Sequence, residues 1–148
     1  EALIPKGMSR FYLDEAESLQ ACIPGAGGVF TARSLAKIYA ALANHGEIDG
    51  VRLLSEKTVG ELVKVHNRNR GDVVPMAMHW RLGYHRVFTT WPKTPYAFGH
   101  FGYGGSGAWA DPSRHLAVGY IVNTGSGSPF ADLRIWKINT AIIEAVGG

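Results

Sequence analysis

Residues 106–123 read Ser106-Gly107-Ala108-Trp109-Ala110-Asp111-Pro112-Ser113-Arg114-His115-Leu116-Ala117-Val118-Gly119-Tyr120-Ile121-Val122-Asn123. Asp111 and Pro112 occupy the first and second positions of a type I turn. Val118, Tyr120, Ile121 and Val122 then suit a pleated, half-buried strand. The stretch therefore predicts a β-hairpin. Upstream, Tyr96 to Asp111 is glycine-rich and extended, and Thr89 to Pro95 holds two prolines and reads as a loop. His79 to Phe88 reads as a further strand, with Trp80, Leu82 and Tyr84 on one side and His79, Arg81 and His85 on the other.

Helices flank these strands. Thr31 caps a run in which Leu35, Ile38, Tyr39 and Leu42 fall at helical spacing among alanines, and Gly46 stops it. A turn follows at Asp49-Gly50. Ser55 is a good N-cap for a second helix, with Val59, Leu62, Val63 and His66 along one side, although Gly60 weakens it. Residues 67–78 read as loop. Pro129 or Phe130 opens a last helix that runs to about Val146 and is apolar on a wide face, which suits a helix laid on a sheet. Residues 1–30 lack clear periodicity. Met8 to Leu13 admits a strand, and Cys22 to Gly28 is a segment where the backbone turns or approaches something closely. Cys22 itself reads as a small buried hydrophobe. Two helices, then antiparallel strands, then a helix give an α+β fold in which helices cover an antiparallel sheet. No internal boundary is expected within residues 1–148.

Composition narrows the class. The chain has 148 residues, of which 46% are hydrophobic and 18% charged, so it can build a core and does not resemble a disordered chain. A single cysteine excludes an internal disulfide framework and a multi-cysteine zinc site. Six histidines show no tight ligand spacing, so no metal site is expected. The longest clean apolar run, Ala117 to Val122, is far too short to span a bilayer. Residues 1–74 carry nine basic and nine acidic side chains. The net charge of +3 comes from residues 75–148, whose basic residues are dispersed, and no nucleic-acid partner is expected. The chain starts at Glu1 without a signal peptide or a methionine, so translation is expected to begin further upstream.

The most distinctive segment for chemistry is Phe98-Gly99-His100-Phe101-Gly102-Tyr103-Gly104-Gly105-Ser106-Gly107. A strand this rich in glycine packs poorly and often marks close approach of a ligand or of another backbone. His100 and the bare N–H groups beside it could line an oxyanion site. A bulged edge strand with a satisfied histidine is the plainer alternative. Other motifs lack their context. Gly102, Gly104 and Gly107 spell a dinucleotide fingerprint but lead into Asp111-Pro112 instead of a helix. Lys93-Thr94-Pro95 has a proline where an N–H is needed.

The segment resembles the third conserved element of the serine β-lactamase and penicillin-binding-protein-like hydrolases, which include class C β-lactamases and their esterase relatives. That element is Lys-Thr-Gly in the penicillin-recognising enzymes, and here stands as His100-Phe101-Gly102. Three more stretches are similar to the family in the same order. They are the glycine-rich Pro24 to Gly28 leading into Ala32-Arg33-Ser34-Leu35-Ala36, then Leu53-Leu54-Ser55 with the helix after it, then Arg81-Leu82-Gly83-Tyr84.

The resemblance implies a β-lactamase/transpeptidase-like fold of which this chain is a C-terminal part. It also implies an acyl-enzyme mechanism on an ester or amide, with a Ser-x-x-Lys nucleophile upstream of residue 1. His100 would take the lysine's place and the backbone N–H of Tyr103 would be the second oxyanion donor, so these are the candidate catalytic residues. Gly102, Gly104 and Gly105 are the candidate substrate-binding residues, with Gly25 to Gly28 as a neighbour. An imidazole is no permanent cation, which argues against strong recognition of a β-lactam carboxylate and favours an esterase-like or unassigned substrate. The literal Ser34-Leu35-Ala36-Lys37 falls on a later helix than the family's nucleophile and reads as an exposed helix face. No cofactor is expected. The expected partners are a small-molecule substrate and the rest of the active site, carried upstream or on a second chain. A catalytically inactive relative that binds a ligand or partner is the alternative, and the compartment stays open.

Overall fold

A computed structural model describes residues 15–25, 27–71, 74, 76–91, 93–102, 104–125 and 133–147. The contacts divide the chain into two units, residues 1–31 and 32–148. In the first, α1 (Ala16–Gln20) is a short helix that sequence periodicity did not reveal. Cys22 is exposed there, which corrects the expectation of a buried thiol. The strand expected at Met8 to Leu13 lies outside the described residues, as does Ala26.

The second unit holds the remaining elements. α2 (Ala32–Ala43) begins directly after Thr31 and buries Ala41, Leu42 and Ala43. Gly46, at φ 98°, ends it by donating its N–H to Ala41 O over 2.7 Å. The Asp49-Gly50 turn joins β1 (Glu47–Ile48) to β2 (Val51–Arg52), with both turn residues at positive φ as a two-residue hairpin requires. α3 (Glu56–Val63) starts where expected, since the Ser55 hydroxyl accepts the Thr58 N–H at 3.1 Å. His66 lies beyond its end.

The main sheet is antiparallel, in the order β3 (His85–Arg86), β4 (Phe98–Phe101), β5 (Gly107–Asp111), β6 (Leu116–Tyr120). Sequential neighbours pair throughout. The hairpin read from residues 106–123 is β5–β6. Its turn is held by Arg114 N–H to Asp111 O and by the fully buried Asp111 carboxylate, which accepts from Ser113 and pairs with Arg114 at 2.7 Å. The strand expected over His79 to Phe88 shrinks to two residues. His79 and Gly83 sit at positive φ, which breaks the pleat, and Leu82 is exposed.

Helices cover both faces of the sheet. Leu42, Leu62, Phe98 and Ala110 form the core on one side, under α2 and α3. On the other, Phe101, Trp109, Ile135 and Ile143 pack beneath α4 (Leu133–Ala145). The proposed opening of that helix at residues 129–130 lies outside the described residues. Trp109 is fully buried, and an aromatic of that size contributes on the order of 4 kcal/mol through removal of its area from water. Its Nε1–H donates to Asn139 Oδ1 at 2.9 Å, and Asn139 Nδ2 donates to Phe88 O at 3.0 Å, which ties α4 to β5 and to the chain after β3. On the opposite face, Gly119 lets α2 lie directly on β6. A Cβ there would overlap Ala32 O and stand 2.7 Å from Ala36 N. Among the described residues no helix is long and apolar enough to cross a membrane.

Candidate functional site

The register of β4 sets up the candidate site. Gly99 pairs with both His85 and Trp109, and His100 pairs with Ala108. Residues 98 and 100 therefore share the face that carries α2, while 99 and 101 share the face toward α4. His100 stands near the end of β4 with its residue exposed, immediately before the turn through Gly102. Its neighbour across the sheet edge is His85, whose ring centroid is 5.2 Å away. Partial burial holds the His100 pKa below the usual imidazole value. The ring is therefore neutral at pH 7 and can donate or accept one hydrogen bond.

His85 is the residue that sequence reasoning missed. It is 2% exposed and hydrogen-bonded at both ring nitrogens. Nε2 faces the Phe101 N–H at 3.2 Å, which must donate, so Nε2 carries the lone pair. Nδ1 carries the proton and donates to Arg86 O at 2.7 Å. Burial is the main reason its pKa is pushed down to about 4, with the neighbouring His100 contributing. This neutral ring fixes the backbone at Phe101, the residue between His100 and Gly102. The only sequence signal was its place opposite Trp80 and Tyr84 in the alternation.

The glycines divide into two kinds. At Gly99 a Cβ would lie 2.6 Å from Trp109 Cα, and at Gly107 it would lie 2.7 Å from Phe101 Cα. Both are required for β4 and β5 to pair with large side chains alternating beside them. The turn glycines are open. Gly104 has no atom within 4 Å of a Cβ position, and Gly102 has only Ser106 O at 3.7 Å. Gly102 N–H donates to Ser106 O at 2.8 Å and Gly105 N–H to Gly102 O at 3.0 Å, so both donors are committed to the turn. The Gly104 N–H finds no acceptor among the described residues. Tyr103, the expected oxyanion donor, lies outside the described residues. Ser106 Oγ accepts the Val122 N–H at 3.0 Å and anchors the turn to the chain after β6.

Ser34 and Lys37 lie on exposed positions of α2. Lys37 Nζ pairs with Asp49 at 2.6 Å, on a surface where both side chains are largely solvated.

The helix-covered antiparallel sheet agrees with what known proteins show. A family model described as Beta-lactamase matches residues 2–141, and the chain belongs to that family. The esterase/beta-lactamase LipL of Mycobacterium tuberculosis (strain ATCC 25618 / H37Rv) is 44% identical over 116 residues, covering 74% of this chain and 25% of LipL. The crystal structure of a family VIII carboxylesterase is similar with a TM-score of 0.58 and 34% identity, over 64% of this chain and 26% of that one. A penicillin-binding protein homologue from Caulobacter crescentus gives a TM-score of 0.62 and 33% identity, over 74% of this chain and 31% of that one. The chain thus spans about a quarter of LipL's length.

Proposed function

We propose that the protein carrying this chain is a serine hydrolase that cleaves an ester or amide through an acyl-enzyme, and that residues 98–107 form one wall of its active site. The observation that carries this reading is the exposed, neutral His100, held next to the Gly102–Ser106 turn by the doubly bonded His85, in a chain of the β-lactamase family. A serine hydroxyl in a Ser-x-x-Lys motif outside residues 1–148 attacks the carbonyl, and the alcohol or amine leaves. Water then breaks the acyl bond and restores the serine. Backbone N–H groups in this turn stabilise the oxyanion, with Tyr103 and Gly104 the candidates, while Gly102 and Gly105 shape the turn. His100 hydrogen-bonds the substrate or the proton relay without a permanent charge. That suits an uncharged ester, and two of the similar proteins bear esterase names.

The test is His100→Ala in the intact protein with a chromogenic ester. A loss of about a hundredfold in kcat/KM is expected, the usual size for removing one positioned hydrogen-bonding group. Unaltered turnover removes His100 from the site.

A further inference from the structure

A concave region lies at the other end of β4. The chain between β3 and β4 folds over a hollow of about 480 Å³, within the range of small-molecule sites. Neither His100 nor any glycine of the Gly102–Ser106 turn lines it.

Its wall is strongly basic. Arg68, Arg81, Arg86 and Lys93 line it, and no carboxylate does so among the described residues. None of the described ion pairs engages any of these four. Arg81 is 6% exposed, and its guanidinium is satisfied by carbonyls alone: Val63 O at 3.0 Å, His79 O at 3.3 Å and Pro95 O at 2.9 Å. A buried cation without a counter-charge carries a desolvation cost that an anion nearby would offset.

Arg86 Nε and Trp136 Nε1 are buried donors with no acceptor among the described residues. Both side chains pack on the Phe88 ring. The Arg86 guanidinium carbon lies 5.0 Å from its centroid, and the Trp136 ring stacks on it at 5.0 Å and 20°. The two side chains that carry these donors therefore share one aromatic neighbour. Trp91, 68% exposed, adds a flat apolar ring to the same wall. His79, held at φ 50°, reports the local field: partial burial first, and then Arg86, Arg68 and Arg81, hold its pKa below the ordinary value.

We propose that this hollow binds a small organic carboxylate carried on a flat apolar group. The carboxylate meets Arg86, whose half-buried guanidinium swings to present Nε and one terminal nitrogen side-on. The apolar part lies against Trp91, Trp136 and Phe88. Arg68 and Lys93 add longer-range attraction. The proposal stands apart from the hydrolase reading, because it uses none of the residues of the His100 site.

The experiment is calorimetric titration of the intact protein with 1-naphthoate, with the neutral 1-naphthamide and with acetate. Naphthoate is expected to bind at least about tenfold more tightly than either comparator, since it alone supplies both charge and ring. Arg86→Gln is expected to weaken naphthoate about tenfold. The exposed Lys93→Gln, which leaves the fold untouched, is expected to weaken it about threefold. Saturating naphthoate should also move the His79 ring titration, followed by NMR, to higher pH. His100→Ala should leave naphthoate affinity unchanged. Equal affinity for acid and amide, or for naphthoate and acetate, overturns the proposal. So do no binding at all, retained affinity in both charge variants, and a loss of affinity in His100→Ala, which would place naphthoate in the hydrolytic site.

Discussion

The two ends of β4 use opposite chemistry. At the Phe101 end there is backbone, glycine and a neutral imidazole, and no permanent charge in the turn. At the Phe98 end there are four permanent cations, two orphaned donors and three aromatic rings around a hollow. His85 joins them, because its Nδ1–H is bonded to Arg86 O and its Nε2 to the Phe101 N–H. One buried ring thus fixes the strand between the turn proposed to face a developing oxyanion and the hollow proposed to take a carboxylate. The lesson is that glycine content alone does not separate them: Gly99 and Gly107 belong to packing, and Gly102 and Gly104 to the open turn.

The largest expected effect comes from the joint itself. An unfolded chain protonates His85 near the ordinary imidazole value of 6.5, whereas the folded chain holds it near 4. Between those values the unfolded state binds the extra proton, so stability falls as pH falls from about 7 toward 4. About 3 kcal/mol is lost across that window, and the loss levels off below it. A proton on Nε2 also removes the acceptor for the Phe101 N–H. The protection factor of the Phe101 amide in the intact protein, its exchange rate taken relative to the intrinsic rate at each pH, should therefore fall below pH 6. Protection that is independent of pH from 7 to 4 breaks the link between the two ends.

Next in size is the loss of about a hundredfold in ester kcat/KM for His100→Ala, which Arg86→Gln should not share. An equal loss in both variants would merge the two ends into one site. The glycine comparison sharpens the picture further. Gly107→Ala places a methyl against Phe101 Cα and should cost about 2 kcal/mol in urea unfolding, whereas Gly104→Ala should stay within about 0.5 kcal/mol. Similar costs would erase the distinction between packed and open glycines. The smallest effect is in the pH profile. Any limb of kcat/KM assigned to His100 should titrate below 6.5, because burial disfavours its charged form. A limb above 6.5 would show a neighbouring anion that the described residues do not contain.

Much of the fold was legible because its signals are local. Asp111-Pro112 marked the β5–β6 turn, Ser55 marked the start of α3, and the alanine-rich spacing marked α2. The alternation over His79 to Phe88 predicts a strand, but the backbone is extended only at His85–Arg86. His79 and Gly83 turn at positive φ, and composition does not show that. His100 and the turn glycines stood out as a motif. His85 did not, because its role depends on cross-strand register with Gly99 and on two backbone partners distant from any motif. The basic hollow was equally hidden. Arg68, Arg81, Arg86 and Lys93 are dispersed along the chain and converge only after folding.

The most direct test of the central claim is fluorophosphonate labelling of the intact protein followed by peptide mapping. A single adduct is expected on a serine of a Ser-x-x-Lys motif outside residues 1–148, with labelling slowed in His100→Ala. An adduct on Ser34 or Ser106, or no adduct on a folded protein, would contradict it.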